Sequence, residues 1–267
     1  MTTSFEKNTF QKRMKSMLGV DFRRMFTSPI FYIMVGISLV MPIIILVMTT
    51  MMDGSVSVDP QTGKETVIEG FKNVWQIIGS ISGGEQTMSM DITSMCNINM
   101  MFFIVAIFVC IFVGDDFRSG YAKNLFTVRA KKDDYIISKT CACFVAGACM
   151  LILFFIGSMI GGAISGLSFT LEGANALNVV MSMLSKIAIV AIFVSIYILA
   201  CVIAKQKLWL SLILSFGIGM LMFTMIPIIT PLNSGIINLI LCLVGAGLFS
   251  FGIAFGSKTI LTKTSLI

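Results

Sequence analysis

Residues Ile30–Met52 read IFYIMVGISLVMPIIILVMTTMM, a run without a single charged side chain. A bilayer's hydrocarbon core is about 30 Å thick and takes about 20 apolar residues in a helix, so this run is long enough to cross it. Working outward, Ile92–Gly114 and Thr140–Leu171 are also free of charge. Gly173–Ala204 holds only Lys186, and Leu208–Ser257 holds no charge over a length that fits two crossings. The turn-forming PLNSG at Pro231–Gly235 divides that last window. Composition agrees: 57% of the 267 residues are hydrophobic, 12% are charged and the mean hydropathy is +0.96, too little charge to coat a soluble domain of this size. The expectation is one all-α integral membrane domain with six transmembrane helices, at 30–52, 92–114, 140–163, 178–204, 208–230 and 236–257.

Basic residues flanking short loops stay in the cytoplasm. The segments on one side are Met1–Pro29 (net +4), Asp115–Lys139, Lys205–Lys207 and Lys258 to the end (+2 each). The other side holds Asp53–Asp91 at net −4 and the lone Glu172. Both termini are therefore expected in the cytoplasm, with 53–91 as an extracellular loop. The positive charge reads as topology, not as nucleic-acid binding.

Several kinds of chemistry are excluded. The chain has no histidine, which removes serine–histidine proteases, histidine-ligated metalloproteases and haem proteins with histidine ligands. No G-x-x-x-x-G-K-[ST] phosphate loop is present, so the chain is not expected to hydrolyse a nucleotide by itself. No Asp or Glu falls inside a predicted span, which argues against a proton-driven secondary transporter. The seven cysteines lie in or beside the spans, and none is in the long outer loop where a disulfide would form. Cys141 and Cys143 form a C-x-C, but without a second pair they read as apolar packing and not as a metal site.

The segments between spans carry patterns of their own. Before the first span, Phe10, Met14, Met17, Leu18, Phe22, Met25 and Phe26 recur at helical spacing among lysines and arginines, and Pro29 ends the run. Residues 1–29 are expected to hold an amphipathic helix lying in the inner headgroup layer, anchored by Phe10, Met14 and Leu18 and by Arg23 and Arg24 on anionic lipid. A cytoplasmic cap packed on another helix is the alternative. In the outer loop SVSVDPQTGKETVI has the alternation of a hairpin, and GFKNVWQIIGSIS sets Phe71, Val74, Trp75, Ile78 and Ile81 on one helical face. That face is expected to rest on the outer interface with Trp75 as anchor, or to cover the mouth of a passage. Glycines four apart, at Gly157 and Gly161, Gly162 and Gly166, and Gly252 and Gly256, suit close helix approach in lipid.

Two places bear on function. Lys186 lies eight residues past Asn178, about 12 Å along the helix, so it either snorkels outward, makes a structural hydrogen bond or lines a passage. Gly114–Lys139, GDDFRSGYAKNLFTVRAKKDDYIISK, holds six basic and four acidic residues on the cytoplasmic side. Adjacent Asp115 and Asp116 diverge by about 100° on a helix, so they cannot easily share a proton or a metal. Tyr121, Leu125 and Phe126 instead suit a short helix lying across the cytoplasmic surface.

This loop and layout resemble the permeases of type-two ABC exporters. The matching residues are Asp116, Gly120, Lys123-Asn124-Leu125, Arg129 and Lys139, following a basic interfacial helix and within six spans. The chain departs from that pattern with aspartate where glutamate is usual and without the proline often found before the basic residue. The resemblance implies a separate ATPase subunit, carrying the ATP and Mg, that docks on 115–139 at Asp115, Asp116, Gly120, Tyr121, Lys123, Asn124, Leu125, Arg129, Lys131, Lys132 and Lys139. It implies a second permease subunit, identical or a sister, and a turn at Pro227 and Pro231 that dips back into the membrane. Size and outer loop look most like the peptide-antibiotic export or immunity subgroup, in a bacterial plasma membrane. The expected function is outward movement of an amphipathic or hydrophobic cargo. A non-transporting immunity or scaffold protein that binds a toxin or partner is the alternative.

Overall fold

The computed structural model describes residues 10–58, 65–80, 96–128, 132–171, 173–223 and 225–263. Inside a bilayer each backbone N–H and C=O must be satisfied by the segment itself, and the apolar windows accordingly fold as helices. The order is α1 (Phe10–Thr27), α2 (Pro29–Met52), a hairpin of β1 (Val56–Val58) and β2 (Glu65–Val67), then α3 (Met101–Arg118) and α4 (Tyr121–Val128). These are followed by α5 (Lys132–Ser165), α6 (Ala176–Ala204), α7 (Leu208–Phe223), the single turn α8 (Ile226–Ile229) and α9 (Ile236–Lys263). Five of these helices are long and apolar enough to cross a membrane, and α7 is a shorter apolar helix. The protein is an all-α, multi-pass membrane protein.

The helix limits depart from the charge-free windows for physical reasons. The second span starts with a short 3-10 turn at Ile98–Met100, not at 92, and runs through the two aspartates to Arg118. Residues 92–95 are outside the described residues. The third span starts at Lys132 and not at 140, because nothing in KDDYIISK breaks a helix. At 34 residues α5 is about 51 Å long, well beyond the hydrocarbon thickness. The loop expected over 115–139 is thus the end of α3, all of α4 and the start of α5. The fifth span stops at Phe223, and Pro227 sits inside the separate turn α8, where its missing N–H needs no partner.

Helices α3 and α6 form the centre. Of their most apolar windows, 67% and 72% is buried, against 22% for α2 and 11% for α9. Phe102 and Phe193 meet there with ring centroids 4.6 Å apart. Outside, the hairpin expected from alternation pairs Val56 with Val67 and Ser57 with Thr66. The segment after it forms only a 3-10 turn, Val74–Ile77, whose apolar side chains point into the bundle: Phe71, Val74, Ile77 and Ile78 are all buried. Trp75, beside these on the same turn, is half-buried, and its indole N–H donates to the Phe169 carbonyl at 3.0 Å. Ile81 is outside the described residues. Leu232 N–H donates to the Ser80 carbonyl at 2.9 Å, so this segment is also tied to the turn after α8.

The three glycine pairs separate in the structure. A Cβ on Gly157 would collide with the Leu39 carbonyl of α2, and one on Gly161 would lie 2.8 Å from the Ile43 Cα. Gly162 receives the Val74 side chain from the 3-10 turn, and Gly166 ends α5 at φ +67. Gly252 and Gly256 have open space beside them. Gly157→Ala is therefore expected to push α2 off α5 and destabilise the protein by about 1–3 kcal/mol. Gly252→Ala should be neutral or mildly stabilising, and thermal unfolding of both variants in detergent checks the contrast.

Candidate functional site

At the end of the bundle where α1 meets the start of α5, the apolar face of α1, at Met17, Asp21 and Met25, packs against α5. Helical spacing on α5 brings Tyr135, Ser138 and Lys139 to the same side, and the last turns of α3 add Phe112 and Asp116. The four charged residues drawn together are Asp21, Arg24, Asp116 and Lys139, and all but Arg24 are buried. Lys139 Nζ lies 2.8 Å from Asp21 Oδ1 and 2.8 Å from Asp116 Oδ2. Arg24 reaches the other oxygen of Asp116 at 2.7 Å. Tyr135 Oη donates to Asp116 Oδ2 at 2.9 Å and Ser138 Oγ to Asp21 Oδ2 at 2.5 Å. The set has two positive and two negative charges and is neutral. That balance lets it persist without water, since an unpaired ion there would cost several kcal/mol.

Aromatic faces close the cluster. Lys139 Nζ is 4.3 Å from the Phe112 ring centroid, and the Arg24 guanidinium lies 4.2 Å from that of Tyr121. Burial alone would lower the Arg24 pKa, but the charge and hydrogen bond of Asp116 outweigh it and raise it above its ordinary value. Arg24 therefore turns inward to Asp116. Arg23 and Phe10 stay exposed, and Met14 and Leu18 are half-buried.

Two ion pairs and a hydrogen bond flank this centre. Arg13 Nε meets Asp134 Oδ2 at 2.9 Å, Lys258 Nζ meets Asp133 Oδ2 at 2.8 Å, and Lys132 Nζ donates to the Leu261 carbonyl at 2.7 Å. Helices α1, α3, α5 and α9 are thereby joined at one end of the bundle. The sharp turn into α4 needs a left-handed residue, which Gly120 supplies at φ +76. Ala122 is buried, Leu125 is half-buried, and Phe126 packs edge-on to Tyr135 at 5.3 Å. Lys123, Asn124 and Thr127 face outward. Asp115 is half-buried and pairs with Arg118 at 3.0 Å, while its neighbour Asp116 faces the interior, so the two carboxylates diverge.

The residues expected to form one docking surface thus divide by role. Asp116 and Lys139 are interior, Tyr121 stacks on Arg24, and Lys132 is engaged with α9. Arg129 and Lys131 lie outside the described residues. Lys123 and Asn124 remain exposed, and Asp115 is half-buried. Asp21 was absent from the sequence reading, although an acid at the i+4 position between Met17 and Met25 on an apolar stripe was its signal. Cys141 is exposed and Cys143 buried, so the C-x-C does not gather its thiols.

Lys186 occupies a second polar spot, ten residues into α6. It is fully buried and does not snorkel: Nζ donates to the Thr230 carbonyl at 2.9 Å and lies 2.6 Å from Thr230 Oγ1. Ser182 Oγ adds a bond to the same carbonyl at 3.3 Å. Because Thr230 caps α8, Lys186 ties the short outer turn to the central helix.

A family model described as ABC-2 family transporter protein matches residues 22–222, which is 201 of the 267 residues, and the chain belongs to that family. Its class is therefore the membrane-spanning permease subunit of an ABC transporter. No curated protein and no solved structure matches significantly.

Two variants check the geometry. Lys139→Met leaves two carboxylates facing one guanidinium and should cost about 3–5 kcal/mol, visible as a lowered melting temperature. Adding Asp21→Asn restores neutrality, so the double variant should recover part of that loss and fall short of additivity. Lys186→Met should release the outer turn, and faster hydrogen exchange at 226–235 with no change at 132–165 is the expected result.

Proposed function

We propose that this permease is half of an ATP-driven exporter that moves an amphipathic or hydrophobic cargo outward. A separate ATPase subunit carries the ATP and Mg, and its closure acts on the exposed face of α4, at Lys123, Asn124 and Thr127 beside Asp115. One observation carries the reading: a short helix with an exposed polar face packs Tyr121 on Arg24 and Phe126 on Tyr135, and those partners belong to a neutral ion cluster that joins the ends of α1, α3 and α5. A push on α4 cannot be absorbed locally and shifts those helices together. Alternating access is then a population shift driven by nucleotide binding in the partner.

A second permease copy or sister subunit completes the transporter in a bacterial plasma membrane. The outward residues of α1, including Arg23, Val20 and Phe26, suit the inner headgroup layer. Peptide antibiotics and lipid-like molecules are the cargo class, as in the export or immunity subgroup.

Co-purification in mild detergent should recover an ATPase subunit in equal amount. Recovery of the permease without one would instead favour a non-transporting immunity or scaffold role. In the reconstituted pair, Lys123→Glu with Asn124→Arg should abolish transport while ATP hydrolysis persists, and normal transport by this variant would place the coupling surface elsewhere.

A further inference from the structure

Between α6, α8 and α9 the bundle opens sideways into a cleft of about 370 Å³, within the range of about 300–1,000 Å³ common to small-molecule sites. Its floor is Phe193 of α6, Ile226 of α8 and Cys242 and Ala246 of α9, all buried. Its rims are exposed, with Met225 and Ile228 on one side and Leu241 and Phe249 on the other. Gly245 lines it too, and a Cβ there would meet nothing within 4 Å, so the missing side chain keeps the cleft open.

We propose that this cleft holds one acyl chain of a bilayer phospholipid from the outer leaflet. Length is the first argument. Asn238 and Phe249 mark the two ends of the lining along α9, eleven residues or about 16 Å apart, and one leaflet's hydrocarbon is about 15 Å deep. Polarity is the second. The lining is apolar except at Asn238, which is half-buried on the first turn of α9, at the end that the charge count places outside. An amide at headgroup depth donates to an ester or phosphate oxygen, and hydrocarbon below it needs only apolar walls. Shape is the third: a narrow groove with buried floor and exposed rims accepts a chain entering from the lipid side and leaves its head outside.

The position gives the chain a structural effect. Ile226 in the cleft floor belongs to the turn whose C-cap, Thr230, is held by Lys186 on its inner side. A seated acyl chain braces that turn from the membrane while the lysine holds it from the core.

The test needs only the full-length permease in vesicles of phosphatidylethanolamine and phosphatidylglycerol, with a trace of phospholipid bearing a diazirine midway along one chain. After illumination, label mapped by mass spectrometry should concentrate on 225–229 and 241–249. Gly245→Phe fills the cleft and should reduce that label several-fold, whereas Gly247→Phe, on open surface about 200° round the same helix, should not. Asn238→Leu, which leaves the floor intact, should also weaken it. Label spread evenly over all lipid-facing helices, or unchanged in Gly245→Phe, would overturn the proposal. So would label obtained with a single-tailed diazirine amphiphile and not with the phospholipid.

Discussion

The end of the bundle where α1, α3 and α5 meet depends on one ammonium group. Lys139 sits 2.8 Å from a carboxylate of α1 and 2.8 Å from a carboxylate of α3, on a helix that contributes no other charge to the contact. In a low-dielectric interior such attractions are strong, but they are offset by the cost of removing the ions from water. The net stabilisation is therefore small, and the specificity is large. α1, α3 and α5 have one relative placement in which every charge is matched, and a shift of one helical turn would leave several unpaired.

That constraint explains why the amphipathic N-terminal helix belongs to the transporter body and is not simply floating on lipid. Its apolar stripe buries Met17 and Met25, but Asp21 between them decides the register. The same ions position α4, because Tyr121 covers Arg24 and Phe126 rests on Tyr135. A polar surface outside and a charge lattice inside are thus two sides of one helical layer.

The spans were legible because a charge-free window in a membrane protein has few other uses. Their ends were not. KDDYIISK looked like loop because it is charged, yet α5 simply leaves the membrane and continues, stabilised by partners on α1 and α9 that only the tertiary fold supplies. Gly252 and Gly256 have the same spacing as Gly157 and Gly161, and only the presence of α2 beside the latter distinguishes them. The family motif pointed to Asp116 and Lys139 without showing that they bind each other. Asp21 stayed hidden because its partner lies more than a hundred positions away.

The backbone contact at Gly157 and Gly161 also makes α5 a lever with unequal arms. From Lys139 to that contact is eighteen residues, about 27 Å, while the part beyond Gly161 to Ser165 is only about 6 Å. The contact with α2 thus divides α5 into a long arm on the Lys139 side and a short one on the Ser165 side. The turn at 226–229 is held apart from that helix, through Thr230 on Lys186 of α6.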